Sequence, residues 1–169
     1  MSYFSKFSTR LYDPKGTGNP RLVTDIFSRV RLRVNVKKEV TLLDPYEVKE
    51  GETPEIIADR HHGSVYYHWI VLMTNQISDV NHDWPMSTRQ HQLYVTDKYG
   101  TTINDPHHYT IYQTSGDTTK TIECNSTQAG AVTITNYEYE VALNDAKRSI
   151  DLLRNDYLGV FVEEFNSII

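Results

Sequence analysis

Apolar and polar positions change period several times along the chain, and each change predicts an element. From Val30 the period is two: Val30, Leu32, Val34 and Val36 fall on one side, and Arg31, Arg33, Asn35 and Lys37 on the other. That is the signature of a half-buried strand. Upstream, residues 1–20 are polar and irregular, with Asp13–Pro20 as a loop, and "TDIFSRV" offers Thr24 as the cap of a short helix with Asp25 in its first turn. Downstream, "VTLLDPYEV" is a second extended stretch broken at Asp44-Pro45, after which Tyr46 and Val48 share a face. Glu50-Gly51-Glu52 then turns the chain. Thr53 caps a helix that begins at Pro54, carries Ile56, Ile57 and Ala58 on its apolar side, and stops at Gly63. Ser64 opens another helix, with Val65, Trp69, Leu72, Met73 and Gln76 at helical spacing.

The second half is less regular. Ser78–Ser87 reads as a loop, and Ser87 caps a helix through "TRQHQLYVTDKYG" closed by Gly100. Between residues 101 and 135 the composition shifts to Thr, Asn, Gln and Gly. Three short Thr- and Ile-bearing runs there predict a small antiparallel meander, too polar to own a core. "YEYEVAL" and "KRSIDLL", separated by Asn144-Asp145-Ala146, predict a hairpin. The end is an amphipathic helix capped by Asn155 or Asp156. Tyr157, Leu158, Phe161, Val162, Phe165, Ile168 and Ile169 form its apolar stripe, and Asp156, Gly159, Glu163 and Asn166 its polar one. That stripe covers either this chain's own sheet or a neighbour's surface. The expected class is α+β in four segments: an arm with helix and strand (1–43), a strand–helix–helix centre with a following helix (44–100), a Thr-rich β insertion (101–136), and a terminal hairpin plus helix (137–169).

Composition narrows the chemistry. At 169 residues and net charge −5, the chain has no basic face suited to a phosphate backbone, and "RVRLRVNVKK" is more simply the wet side of a strand. One cysteine, Cys124, excludes an internal disulfide and fits a reducing cytoplasm. The start lacks an apolar signal core, and no run approaches about 18 apolar residues, so neither export nor membrane spanning is expected. "NST" at Asn125 is a chance sequon in that setting. Seven histidines invite a metal reading, but His61-His62 and His107-His108 are adjacent pairs whose side chains diverge on either helix or strand. No HExxH, paired cysteines, GxSxG, phosphate-binding loop or dinucleotide glycine pattern occurs. No catalytic residue, cofactor or metal site is therefore expected. Twelve Tyr, five Phe and two Trp suit a core, and equally a protein with much interface.

Tyr46-x-Val48-Lys49-x-Gly51-Glu52-Thr53 followed by Ile57-Ala58 resembles the opening of a LysM domain, and "WIVLMTN" resembles its second helix, ending at Asn75. The resemblance covers about 30 residues and implies a βααβ module of the kind that binds N-acetylglucosamine polymers. The chain departs from it after Asn75, where "QISDVNHDWPMSTRQ" replaces the glycine-glutamine turn into the second strand, and at Pro54, which stands in place of a leucine. Gly51, Glu52, Thr53 and Asn75 would then line a vestigial groove. "LVTDIFSRVRLR", "YYHWIVLMTNQISDVNHDWPMS" and "YEYEVALNDAKRSIDLLRNDYLGVFVEEF" follow in one order. Together they resemble the gene-product-53 family, LysM-like baseplate wedge subunits of T-even-type contractile-tailed phages; residues 101–135 carry no match. This resemblance implies a non-enzymatic virion protein of the tail baseplate, made in the host cytoplasm. Its partners would be other wedge proteins and hub or sheath-initiator proteins, with no nucleic acid and no membrane. Tyr3, Phe4, Trp84, Tyr157, Phe161 and Phe165 are the candidate interface rings, and Trp69 a further anchor whose spacing also fits a core. The alternative is a peptidoglycan- or chitin-oligomer-binding LysM module of a tail-associated lysis protein.

Overall fold

The computed structural model describes residues 3–27, 30 and 41–169. The strand expected over Val30–Val36 lies, apart from Val30, outside the described residues. The chain is α+β and folds as two compact units. One takes residues 1–83 and Ser149–Ile169, and the other Trp84–Arg148. The second unit is thus an insertion into the first, and its bounds differ from the expected segments 44–100, 101–136 and 137–169.

The first unit opens with a 3₁₀ turn, Tyr3–Lys6, then an antiparallel hairpin of β1 (Thr9–Tyr12) and β2 (Arg21–Thr24). Both replace the irregular arm of the sequence reading. Asp13–Pro20 is the connecting loop, tightened where Asp13 accepts from the Gly18 amide at 2.7 Å. Thr24 does not cap a helix. It pairs with Thr9 at the end of β2, and Asp25 turns its carboxylate onto the Phe27 amide (3.2 Å) and Arg10 (2.9 Å). The run Leu22-Val23-Thr24 is rich in β-formers with cross-strand partners available, which outweighs a capping signal.

β3 (Leu43–Glu47) runs straight through Asp44-Pro45 rather than breaking there, because Pro45 lies in a two-stranded ladder whose outer side asks for no amide. α1 (Pro54–His62) begins and ends as expected: Thr53 Oγ1 accepts from the Ile56 amide, Pro54 takes the first position, and Gly63 closes the helix at φ +73°. Ser64 opens a 3₁₀ turn (Val65–Tyr67) that leads into α2 (His68–Thr74). The buried face of α2 is Trp69, Ile70, Val71 and Thr74, so Val65 and Gln76 do not belong to it. After the short α3 (Val80–Asp83) the chain leaves this unit.

The inserted unit starts with α4 (Thr88–Tyr99), held by a reciprocal Ser87–Gln90 capping box and closed by Gly100. β4 (Pro106–Tyr112), β5 (Thr121–Cys124) and β6 (Val132–Thr135) follow. Their order is β5-β4-β6, with β4 central, so the sheet is not a meander. No residue of these strands is fully buried, and β4 leans on the next helix through His107, stacked on Tyr139 at 3.8 Å. That helix is α5 (Asn136–Ala146), where the sequence suggested the first arm of a hairpin. A second capping box, Thr135 with Glu138, nucleates it, and its buried positions are Glu140 and Asn144, one turn apart. A helix with a polar inner face shows no apolar period, and its Tyr/Glu alternation imitates a strand.

The chain then returns to the first unit as β7 (Ser149–Leu153), antiparallel to β3 from Leu43↔Leu153 to Glu47↔Ser149. Strand, two helices and return strand form a βααβ unit split by the insertion. α6 (Asn155–Ile168) follows, with Asn155 as its first residue and Arg154 at the N-cap. Phe165 is buried, and Leu158, Phe161, Val162 and Ile169 pack on the same core, which holds Phe7, Leu43, Trp69, Ile70 and Leu153. Five of the seven stripe residues therefore cover this chain's own core, while Tyr157 and Ile168 stay exposed.

Candidate interaction surfaces

The turn between β3 and α1 is built around one buried carboxylate. Glu52 accepts from the Tyr46 hydroxyl (2.8 Å) and the Lys49 amide (2.9 Å), and pairs with Arg60. Burial pushes its pKa up, but the Lys49, Tyr46 and Arg60 contacts outweigh burial and hold it below the usual carboxylate range. Gly51, at φ +75°, makes the bend, and a side chain there would meet nothing within 4 Å. Asn75 is committed too. Its amide nitrogen donates to Asp151 O (2.8 Å) and Val71 O (2.9 Å), and its oxygen accepts from the Asp151 amide (2.8 Å). Of the four candidate groove residues, Gly51 and Thr53 are exposed, Glu52 is buried and Asn75 half-buried. The polar atoms of Glu52 and Asn75 are spent on holding the βααβ unit together.

At the other side of α1, His61 Nε2 meets Leu153 O at 3.1 Å, His62 Nδ1 meets Asn155 Oδ1 at 2.9 Å, and Asn155 Nδ2 donates to His61 O at 2.6 Å. The corner between β7 and α6 is thereby tied to the end of α1. Burial depresses the His62 pKa, and its Nε2 has no partner among the described residues. These histidines are structural ties. Among the described residues no three His, Cys, Asp or Glu side chains converge as a metal site would require, and no helix is long and apolar enough to cross a membrane.

The candidate interface rings separate by burial. Tyr3 is half-buried, 4.9 Å from Phe7, 5.7 Å from Trp69 and 5.6 Å from Phe165 by ring centroids. Trp69 and Phe165 stand 4.4 Å apart and are both buried, and Phe161 is half-buried beside them. The 3₁₀ turn at the start of the chain therefore docks on α6 as part of the core. Trp84, only 6% exposed, is buried rather than a surface anchor. Phe4 (49% exposed) and Tyr157 do face solvent.

The largest apolar exposure falls on residues not singled out from sequence. On the β1–β2 hairpin Leu11, Tyr12, Leu22 and Val23 are exposed, and beyond it Ile26 and Phe27, the latter at 91%. A signal for them existed: "TRLY" and "RLVT" are short β-forming runs flanking an Asp-Pro…Gly…Asn-Pro loop. A two-stranded hairpin is marginal alone, and one that turns its apolar side chains outward is suited to lie against another surface. On α6, Tyr157, Val160 and Ile168 are likewise exposed.

The inserted unit has one charged centre. Glu140, buried on α5, accepts from Lys98 Nζ at 2.7 Å and Tyr99 Oη at 2.8 Å. Burial raises the Glu140 pKa, but these two donors outweigh it and leave it below the ordinary range. The Lys98 pKa is pushed well up, chiefly by its hydrogen bond to Glu140. An acid saturated by two donors on the adjacent helix is a fastening between α4 and α5, not a proton-transfer group. No family model fits the chain, and no curated protein aligns with it significantly.

Proposed function

We propose that this protein is a structural baseplate wedge subunit of a contractile phage tail, with a LysM-like βααβ unit, working by lying against neighbouring wedge proteins. One observation carries the reading. The polar side chains Glu52 and Asn75 are consumed inside the fold, while large apolar side chains of the hairpin and α6 face outward. That is the distribution of an assembly component rather than of a saccharide cleft, which needs free polar groups converging on a concave surface. The βααβ order supports the LysM likeness: β7 supplies the second strand that the sequence lacks after Asn75, displaced by the inserted unit. The wedge assignment itself rests on the sequence resemblance.

The experiment is a density map of the intact tail particle, together with retention on insoluble peptidoglycan. The reading expects the chain in the inner baseplate, burying more than about 1,000 Å² against neighbours, and no retention. Retention that a bulky substitution at Gly51 abolishes would favour the glycan-binding module instead.

A further inference from the structure

The exposed surfaces of the hairpin and of α6 have opposite charge. In the antiparallel register Tyr12 faces Arg21 and Arg10 faces Val23, so Arg10, Tyr12, Arg21 and Val23 share one face of the ribbon. That face is apolar, with Arg21 as its exposed cation and Arg10 already paired with the buried Asp25. At about 100° per residue, Tyr157, Val160, Glu164 and Ile168 line up along α6 beside its buried stripe. Val160 is 64% exposed, and Glu163 adjoins the line. This face is apolar and acidic. α6 contains no Lys, Arg or His, and among the described residues only Asp156 of its three acids has an ion-pair partner, Arg154 at 3.2 Å. Arg21 forms no ion pair among the described residues.

We propose that copies of this chain associate head to tail, the Arg10–Tyr12–Arg21–Val23 face of one hairpin seating on the Tyr157–Val160–Glu164–Ile168 stripe of α6 in the next copy. Charge selects this pairing. Two α6 stripes brought together oppose Glu163 and Glu164, and two hairpin faces oppose arginines, so both symmetric arrangements repel. The remaining arrangement joins two different surfaces, and such a contact closes reciprocally in a two-fold pair or propagates into a larger ring or an open chain. The proposal uses only exposure and charge and does not depend on the wedge assignment. A tail map that lacks the protein would sink that assignment and leave this one standing.

The test is sedimentation velocity of the full chain over a concentration series at low and high salt. The wild type is expected to sediment faster as concentration rises, less so at high salt. The hairpin variant Tyr12→Asp/Arg21→Glu and the helix variant Val160→Asp/Glu164→Lys are each expected to stay monomeric with unchanged far-UV circular dichroism. Mixed in equal amounts they should form dimers that grow no further, because each supplies the surface the other has lost. If a double variant fails to fold, Arg21→Glu and Glu164→Lys alone change exposed charges only. Each should weaken association about tenfold, and both in one chain should restore it. Arg10 is left intact because it pairs with the buried Asp25. A wild type that stays monomeric throughout overturns the proposal. So does a variant that associates as well as wild type, or a mixture that does not pair, since contact would then lie on another surface or need another partner.

Discussion

The two units fill their interiors with different chemistry. The first buries Phe7, Leu43, Val48, Ile57, Ala58, Trp69, Ile70, Val71, Ile150, Leu152, Leu153 and Phe165, which far outnumber its buried Asp25, Glu52, His62 and Thr74. In the inserted unit the buried apolar residues are Trp84 and Val95, fewer than its buried polar ones, His91, Glu140 and Asn144. Apolar burial is non-directional and grows with area, so the first unit tolerates small misfits. A polar interior is worth little net, and it penalises every partner left unpaired. Both units share one device. As Asn75 clasps Asp151 in the first, Asn144 clasps Met86 in the second, accepting from its amide (2.8 Å) and donating to its carbonyl (3.0 Å). The clasps are nested in sequence, the outer closing the interrupted βααβ unit and the inner closing the segment that interrupts it.

The largest effect should come from Trp69→Ala. Trp69 touches the Tyr3, Phe161 and Phe165 rings, so its loss leaves a cavity expected to cost about 3–5 kcal/mol. Urea unfolding with site-resolved hydrogen exchange would measure it. Protection should fall in α1, α2 and α6 and persist in α4; equal loss in α4 would mean the units do not differ in the way their interiors suggest. Next is Asn75→Ala, which removes three hydrogen bonds and strands the Asp151 amide and carbonyl. A loss of about 2–3 kcal/mol is expected, read by the same melts, with exchange concentrated in β3 and β7. Asn144→Ala removes two bonds and should lose somewhat less, about 2 kcal/mol, with exchange rising in α4 and α5.

The same contrast explains what the sequence made legible. Thr53-Pro54 and Gly63 marked α1, and Ser87 and Gly100 marked α4, because caps are local and depend on one or two side chains. The stripe of α6 was legible because its buried face is apolar. α5 was not, since Glu140 and Asn144 occupy the positions where a period would show. The return strand β7 lies 74 residues beyond Asn75 at its start, Ser149, and nothing local announces that it pairs with β3. Trp84 looked like a loop ring because loops are usually surface, and only the fold buries it. The roles of Glu52 and Asn75 were open for a related reason. A polar residue at a turn fits a ligand or the fold equally well until its partners are seen.

Acid sharpens the comparison. Glu52 and Glu140 are both held below their ordinary pKa, burial opposing and donors prevailing in each. A carboxyl whose folded pKa is depressed contributes stability above the unfolded value of about 4.3, and loses it as pH falls through the lower folded value. Both units should therefore weaken below about pH 4. Glu140→Gln should cost about 1–2 kcal/mol at neutral pH, as Lys98 and Tyr99 exchange a charged acceptor for a neutral one. It should also flatten the acid dependence of exchange in α4 and α5 while leaving that of β3 and α1, which Glu52 controls. A variant whose α4–α5 protection keeps the wild-type acid profile would show that Glu140 is not the titrating group.

The smallest effect isolates backbone from packing. Gly51 in the first unit and Gly130 in the second both sit at positive φ, +75° and +85°. A Cβ on Gly51 meets nothing within 4 Å, whereas one on Gly130 lies 3.6 Å from Ile111 Cδ1, an ordinary contact. Gly51→Ala should therefore cost backbone strain alone, about 1 kcal/mol. Gly130→Ala should cost the same strain less whatever the new methyl gains against Ile111, so it should be equal or slightly milder in thermal melts of the two variants. If Gly51→Ala costs clearly more, the turn before α1 has neighbours its open geometry does not account for. The place to look would then be a bound partner, because the chain itself offers the added methyl no obstacle.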